Sequence, residues 1–162
     1  MYFAPRITVA TVVAQKTEQA TEQNSRFLFV EEVINNEIML NQPAGHVEID
    51  ENPFEAACRE TFEETGWHVE LSHFIGVYFY AIPNNEITYL RFCFAATPLY
   101  QDMQATLDEG IIQPLWLTRE DLIQRQAQHR SPLVLKCLDD YLSGFRYPLS
   151  TLYDHRFANI TP

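Results

Sequence analysis

Cysteine, basic residues and long apolar runs are all scarce in this chain, and each scarcity narrows what it can be. The cysteines are Cys58, Cys93 and Cys137, and no two are close in sequence. An odd, scattered set argues against a disulfide framework and against a cysteine-rich zinc site, and it suits a reducing cytoplasm. Lys and Arg number 11 against 22 Asp and Glu, a formal net charge of −11 at pH 7. Such a field repels polyanions, so long DNA or RNA is not the expected partner. A small phosphorylated substrate stays compatible if metal cations neutralise its site locally. No stretch of about 18 apolar residues occurs, so no membrane span is expected. The start, MYFAPRITVATVVAQ, lacks a basic segment followed by a long apolar run and reads as a strand rather than a signal peptide.

Several catalytic signatures are also missing. There is no GxxxxGK[ST] run for a P-loop, no HExxH for a zinc protease and no GxSxG for a serine hydrolase. His46-Val47-Glu48 imitates the H-x-E of a zinc deaminase, but the PCxxC partner is absent. No repeat, low-complexity run or linker interrupts the 162 residues, so residues 1–162 are read as one domain. With 46% apolar and 20% charged residues the composition is that of an ordinary folded domain. Nothing in it separates a monomer from a homodimer.

What is present begins with β-rich segments. Ile7 to Val13 and Arg26 to Ile34 read as strands, with a polar loop from Gln15 to Ser25 between them and a turn at Asn35-Asn36. Pro43-Ala44-Gly45 opens a loop leading to a helix at about Pro53 to Thr65, stopped by Gly66. His68 to Ile82 and Ile87 to Thr97 form a hairpin through Pro83-Asn84-Asn85-Glu86. Leu115 to Leu117 is a short strand, Thr118 with Asp121 caps a helix, and Leu133 to Leu142 is a last helix ended by Ser143-Gly144. A mixed sheet flanked by helices follows.

The informative segment is GHVEIDENPFEAACRETFEETGW, Gly45 to Trp67. At about 100° per residue, Glu63 and Glu64 fall on either side of Glu60. Phe54, Cys58, Thr61, Phe62 and Thr65 gather opposite, as the face to be buried. Ala56 and Ala57 lie near the carboxylates and would leave room for an ion or a phosphate. Three clustered negative charges destabilise a helix unless a cation joins them. Hard oxygen donors select Mg²⁺, or Mn²⁺, over soft metals.

The spacing resembles the Nudix box: Gly45, Glu51, Arg59-Glu60, Glu63-Glu64 and Gly66 occupy all seven fixed positions. At a background of about 0.07 per residue such a match arises roughly once in 10⁸ windows. Thr61 and Trp67 stand where an aliphatic residue is usual. The resemblance implies an α/β fold, an α/β/α sandwich with a mixed sheet, and hydrolysis of a phosphate–phosphate linkage with Mg²⁺. It implies that Glu60, Glu63 and Glu64 are metal ligands, that Arg59 and Glu51 form a salt bridge shaping the box, and that Gly45 and Gly66 permit tight backbone at its ends. Asn41-Gln42-Pro43-Ala44-Gly45-His46, Arg130-Ser131-Pro132-Leu133 and Arg146-Tyr147-Pro148-Leu149 further resemble a bacterial phosphatase branch of the family. That branch releases orthophosphate from nucleoside triphosphates and diphosphates and acts on hydroxymethylpyrimidine pyrophosphate.

Beyond the box, Glu109 in Leu107-Asp108-Glu109-Gly110 is the candidate extra carboxylate, because relatives place an acid in that loop. Arg26, Arg91 and Arg130 are candidate phosphate contacts, since guanidinium pairs with phosphate bidentately. His46, directly after Gly45, is a candidate for a phosphate or leaving group, and Tyr78, Tyr80 and Tyr89 for stacking on a base. Two other readings stay open: a family pyrophosphohydrolase for ADP-ribose or dinucleoside polyphosphates, and a binding module without catalysis.

Overall fold

The computed structural model describes residues 4–15 and 25–157. Most of the loop expected at Gln15 to Ser25 lies outside that range. Seven strands and three α-helices follow in the order β1 (Arg6–Val13), β2 (Phe27–Ile34), β3 (Glu37–Asn41), β4 (Ala44–His46), α1 (Pro53–Thr65), β5 (Trp67–Ala81), β6 (Thr88–Gln101), β7 (Ile111–Leu117), α2 (Arg119–Gln124) and α3 (Leu133–Leu142).

The strands form two sheets rather than one. The first runs β4-β1-β6-β5 and is mixed, because β1 pairs parallel with β6 while its other pairings are antiparallel. The second, β3-β2-β7, is antiparallel. Two short strands escaped the sequence reading. β3 follows β2 through Asn35 and Asn36, whose φ angles of 52° and 66° suit a two-residue hairpin. β4 is three residues long and sits where a loop was expected. Pro98 and Pro114 lie within β6 and β7. Pro98 lies beside a register shift, and Pro114 is on an edge strand, so neither removes a needed hydrogen bond from a regular interior ladder.

Alternation along the first sheet divides the core into two layers. Ala10, Cys93, Ala95 and Ile75 point to one side, where they join Leu122, Leu133, Val134, Cys137 and Leu138 of α2 and α3. Val9, Phe94 and Phe74, their neighbours in sequence, point to the other side and meet Ala56 and Ala57 of α1. The result is the expected α/β/α sandwich.

α1 is tightly specified at both ends. The Asn52 side chain accepts from the Phe54 and Glu55 amides, and Glu55 accepts from the Asn52 amide, completing a capping box with Pro53 in the first turn. Gly66 ends it at φ 70°, donating its N–H to the Phe62 carbonyl at 2.7 Å. The face that α1 buries differs from expectation. Ala56, Ala57, Glu60, Thr61, Glu64 and Thr65 are buried, whereas Phe54, Cys58 and Phe62 are only half-buried. Small side chains let the helix sit close on β1, so Ala56 and Ala57 are core residues against Phe94 and leave no room for an ion.

Both unusual box residues have partners. Thr61 is fully buried, with its hydroxyl 2.8 Å from that of Thr11 and 2.7 Å from the Ala57 carbonyl. Trp67 packs edge-on against Trp116 of the second sheet, with ring centroids 5.6 Å apart.

Candidate active site

Glu60, Glu63 and Glu64 leave α1 toward the seam between the two sheets. Ligand oxygens of Glu60, Glu63 and Asp108 lie within 4.8 Å of one another. Asp108 comes from the loop before β7, held there by its backbone N–H donating to the Glu63 carbonyl at 3.0 Å. The loop carboxylate that the fold brings to this group is Asp108; Glu109, the expected one, lies outside it, although both are exposed. A loop-borne acid adjacent to another acid cannot be told from it by sequence, since only the backbone path decides which of the two faces the helix.

Glu64 is buried beside this group, and its Oε2 accepts the Ala44 N–H at 2.9 Å. Burial raises its pKa well above the usual carboxylate range, against the Ala44 hydrogen bond; the charges of Glu60, Glu32 and Asp108 push the same way as burial. Burial also raises Glu60, while Arg59 opposes the shift.

Arg59 organises the box. It holds Glu51 through two bonds of 2.7 and 2.9 Å, reaches Glu60 at 2.9 Å and Glu63 at 2.8 Å, and donates to the His46 carbonyl at 2.9 Å. The Glu51–Arg59 bridge is therefore as expected, and it holds the Glu51 carboxyl below its ordinary pKa. Gly45 is required for space: a Cβ there would fall 2.0 Å from the Glu60 carboxyl carbon. Gly66 is required for conformation, and a Cβ there would also meet the Asp102 carbonyl oxygen at 2.8 Å.

Next to the carboxylates opens a cleft of about 210 Å³, whose lining includes Gly45, His46, Glu32, Tyr89, Arg91 and Arg130. Arg91 is 9% exposed, and its Nε and Nη1 have no hydrogen-bond partner. Arg130 enters from the loop before α3, with Nη1 3.7 Å from Glu32 Oε1. The His46 ring lies 6.2 Å from that of Tyr89, and burial, with the Arg6 charge, lowers its pKa. Tyr80 also lines the cleft.

Two expected residues are elsewhere. Arg26 is exposed and donates to the Trp116 carbonyl at 3.1 Å, where the ends of β2 and β7 meet. Tyr78 packs against the core of α3 and donates to Asp140 at 2.9 Å. Tyr78 and Tyr80 share a face of β5, so it is the position along the strand that leaves Tyr78 over α3 and brings Tyr80 to the cleft. Conversely, Glu32, Thr8 and Asn41 line the cleft and were not singled out by sequence. Their signal is weak, because single polar residues in strands are ordinary until the sheets bring them together.

A larger, open cleft of about 990 Å³ lies on the far side of α1, lined by Phe54, Cys58, Leu71, Leu99, Leu152 and Tyr153 among others. None of Glu60, Glu63, Glu64 or Asp108 reaches it. The Arg146-Tyr147-Pro148-Leu149 block serves this side. Tyr147 bridges Phe74 of β5, and Leu149 packs in the α1 layer.

The NUDIX domain family matches residues 5–137. The chain is similar to phosphatase NudJ of Escherichia coli strain K12, with 39% identity over 152 residues, 94% of this chain and 93% of that protein. Among solved structures it is similar to a NUDIX hydrolase from Nitrosomonas europaea, with TM-score 0.87, 38% identity and coverage of 94% of this chain and 98% of that one. The NUDIX domain of Shewanella oneidensis NrtR, complexed with ADP ribose, shares the fold at TM-score 0.67 and 16% identity, over 88% of this chain and 89% of that one. With the box residues converging as they do, and with the family matched over most of its length, the chain belongs to the Nudix hydrolases, enzymes acting on phosphorus-containing acid anhydrides.

Proposed function

We propose that this chain is a Mg²⁺-dependent phosphatase that removes orthophosphate from nucleoside triphosphates and diphosphates and from hydroxymethylpyrimidine pyrophosphate. The observation that carries the reading is the shared wall at Gly45. The residue lies against the Glu60 carboxylate and also lines the cleft holding Arg91 and Arg130. A diphosphate lying across it has hard anionic ligands for a cation on one side and guanidinium donors on the other. The similarity to phosphatase NudJ supports the same reading.

The donor set fits Mg²⁺, with Mn²⁺ as the alternative: Glu60, Glu63 and Asp108 offer clustered oxygens, and Glu64 stands beside them as a further ligand. When bound, the metal neutralises phosphate charge and lowers the pKa of a coordinated water. Arg59 holds Glu60 and Glu63 in place, and Arg91 and Arg130 bind phosphate oxygens. His46, kept neutral by its surroundings, is suited to hydrogen-bond a phosphate or the leaving group. The same reading takes residues 1–162 as one domain, a monomer or homodimer, in the cytoplasm; the free thiols at Cys58, Cys93 and Cys137 suit a reducing compartment. No helix among the described residues is long and apolar enough to cross a membrane.

The test is a panel of ATP, GTP, GDP, ADP-ribose and hydroxymethylpyrimidine pyrophosphate with Mg²⁺, scoring orthophosphate and pyrophosphate separately. Orthophosphate release from the triphosphates and diphosphates is expected. It should stop with a chelator and fall more than about 100-fold in Glu63→Gln/Glu64→Gln. Release of pyrophosphate or nucleoside monophosphate instead would mark a pyrophosphohydrolase. Binding without Mg²⁺-dependent turnover would mark a binding module.

A further inference from the structure

The cleft contains a set of buried polar atoms that no protein group hydrogen-bonds. They are Thr8 Oγ1, Glu32 Oε1, Asn41 Oδ1 and the Nε and Nη1 of Arg91. All four residues line the same 210 Å³ space, and Thr8, Asn41 and Arg91 are at most 9% exposed. Buried polar atoms are nearly always paired, so a group of them facing one cavity points to a ligand.

Alternation along β2 puts Glu32 there; the residue skipped in the pairing with β7 is Ile112, on β7 itself. Glu31 is engaged by Gln113 and Arg125, whereas Glu32 lines the cleft. Arg130 approaches Glu32 Oε1 only to 3.7 Å, beyond hydrogen-bond distance.

The types of atom restrict the ligand. An ionised phosphate offers acceptors alone; it pairs with Arg91 but leaves Glu32 and Asn41 unsatisfied. An apolar group pairs with none of them. A ring bearing an amino group supplies N–H donors for Glu32 and Asn41 and a ring nitrogen for a donor. Tyr80, Ile82, Tyr89 and Leu133 give the cavity apolar walls for a planar ring. At about 210 Å³ it is smaller than the roughly 300–1,000 Å³ of sites for drug-sized ligands, which favours a single ring.

We propose that Glu32 and Asn41 read the amino group of a nitrogen heterocycle carried on the diphosphate, with Glu32 the specificity-determining residue. The inference rests on the diphosphate reading above, but it can be tested without turnover. The probes are methylene-bridged, non-hydrolysable diphosphates of 4-aminopyrimidine-methanol and of its 4-hydro counterpart. A second pair, the α,β-methylene diphosphates of adenosine and purine riboside, separates a nucleobase from a free single ring.

Calorimetry with Mg²⁺ should show the aminopyrimidine compound binding at least about 10-fold tighter than its counterpart. Glu32→Leu should bring that ratio close to one, and Glu32→Gln, which keeps a carbonyl acceptor, should restore part of it. The ratio within one variant cancels any general damage to phosphate binding. Equal affinity for both members of each pair, or no binding of the amino compounds, overturns the proposal. So does a ratio that Glu32→Leu leaves intact. Discrimination confined to the adenosine pair keeps the amino-group reading and overturns the single-ring assignment. Hydrolysis of the parent diphosphates is scored separately: turnover without discrimination sinks this inference alone, and discrimination without turnover sinks the phosphatase reading alone.

Discussion

Glu64 combines two demands that conflict in the metal-free protein. It is 8% exposed, and burial raises its pKa well above the ordinary carboxylate range. A carboxyl whose pKa is raised on folding binds protons more tightly in the native state. Its favourable contribution is therefore complete below the unfolded pKa and is lost as pH rises through the folded one. In chelator, Glu64→Gln should melt above the parent protein at about pH 7.5, with the difference vanishing near pH 4. Thermal denaturation across that range checks it; a variant less stable at both pH values would show that the hydrogen bond to Ala44 outweighs the charge. Gly45 makes the opposite case, in which the smallest side chain is the functional one. Gly45→Ala drives a methyl into the Glu60 carboxyl group. It should cost about 1–3 kcal/mol, lowering Tm by several degrees, and reduce kcat more than 10-fold by moving Glu60. Unchanged kinetics would mean that Glu60 is not needed where it stands.

At the scale of the element, α1 is held by its ends and by what it rests on. Asn52→Ala removes the acceptor for two amides and should cost about 1 kcal/mol. Gly66→Ala forces a left-handed φ and a contact with the Asp102 carbonyl oxygen, and should cost about 1–3 kcal/mol. Urea unfolding of both variants measures this; a Gly66→Ala cost no larger than that of Asn52→Ala would show that the 101–105 segment yields. The limits of this helix were legible because its signals are local: Asn52, Pro53, Glu55 and Gly66 each act within one turn. Which face it buries was not legible. The wheel separates carboxylates from apolar residues, but the small residues Ala57 and Thr61 decide how close β1 can come. The sheet covers them and leaves Phe54 and Phe62 half-open.

At the scale of the molecule, the charge of −11 is both a destabilising field and a filter on partners. Raising NaCl from about 0.01 to 0.3 M shortens the screening length severalfold and should raise Tm by weakening self-repulsion. A Tm that falls with salt would mean that local ion pairs, such as those around Arg59, outweigh the net charge.

The sequence by itself determined the residues of the box, because the candidate ligands, the salt bridge and both required glycines lie within the 22 residues from Gly45 to Gly66. Their geometry follows from helical periodicity and local capping. Only the tertiary structure decided the rest of the site. Asp108 rather than Glu109 joins Glu60 because the 102–111 segment hydrogen-bonds along α1. Arg91 is in the cleft and Arg26 outside it through strand register and the separation of the two sheets. Glu32 faces the same cavity because alternation along β2 turns it away from the side where Glu31 meets Gln113 and Arg125. These contacts join residues tens of positions apart, and a one-residue slip would reverse the side each presents.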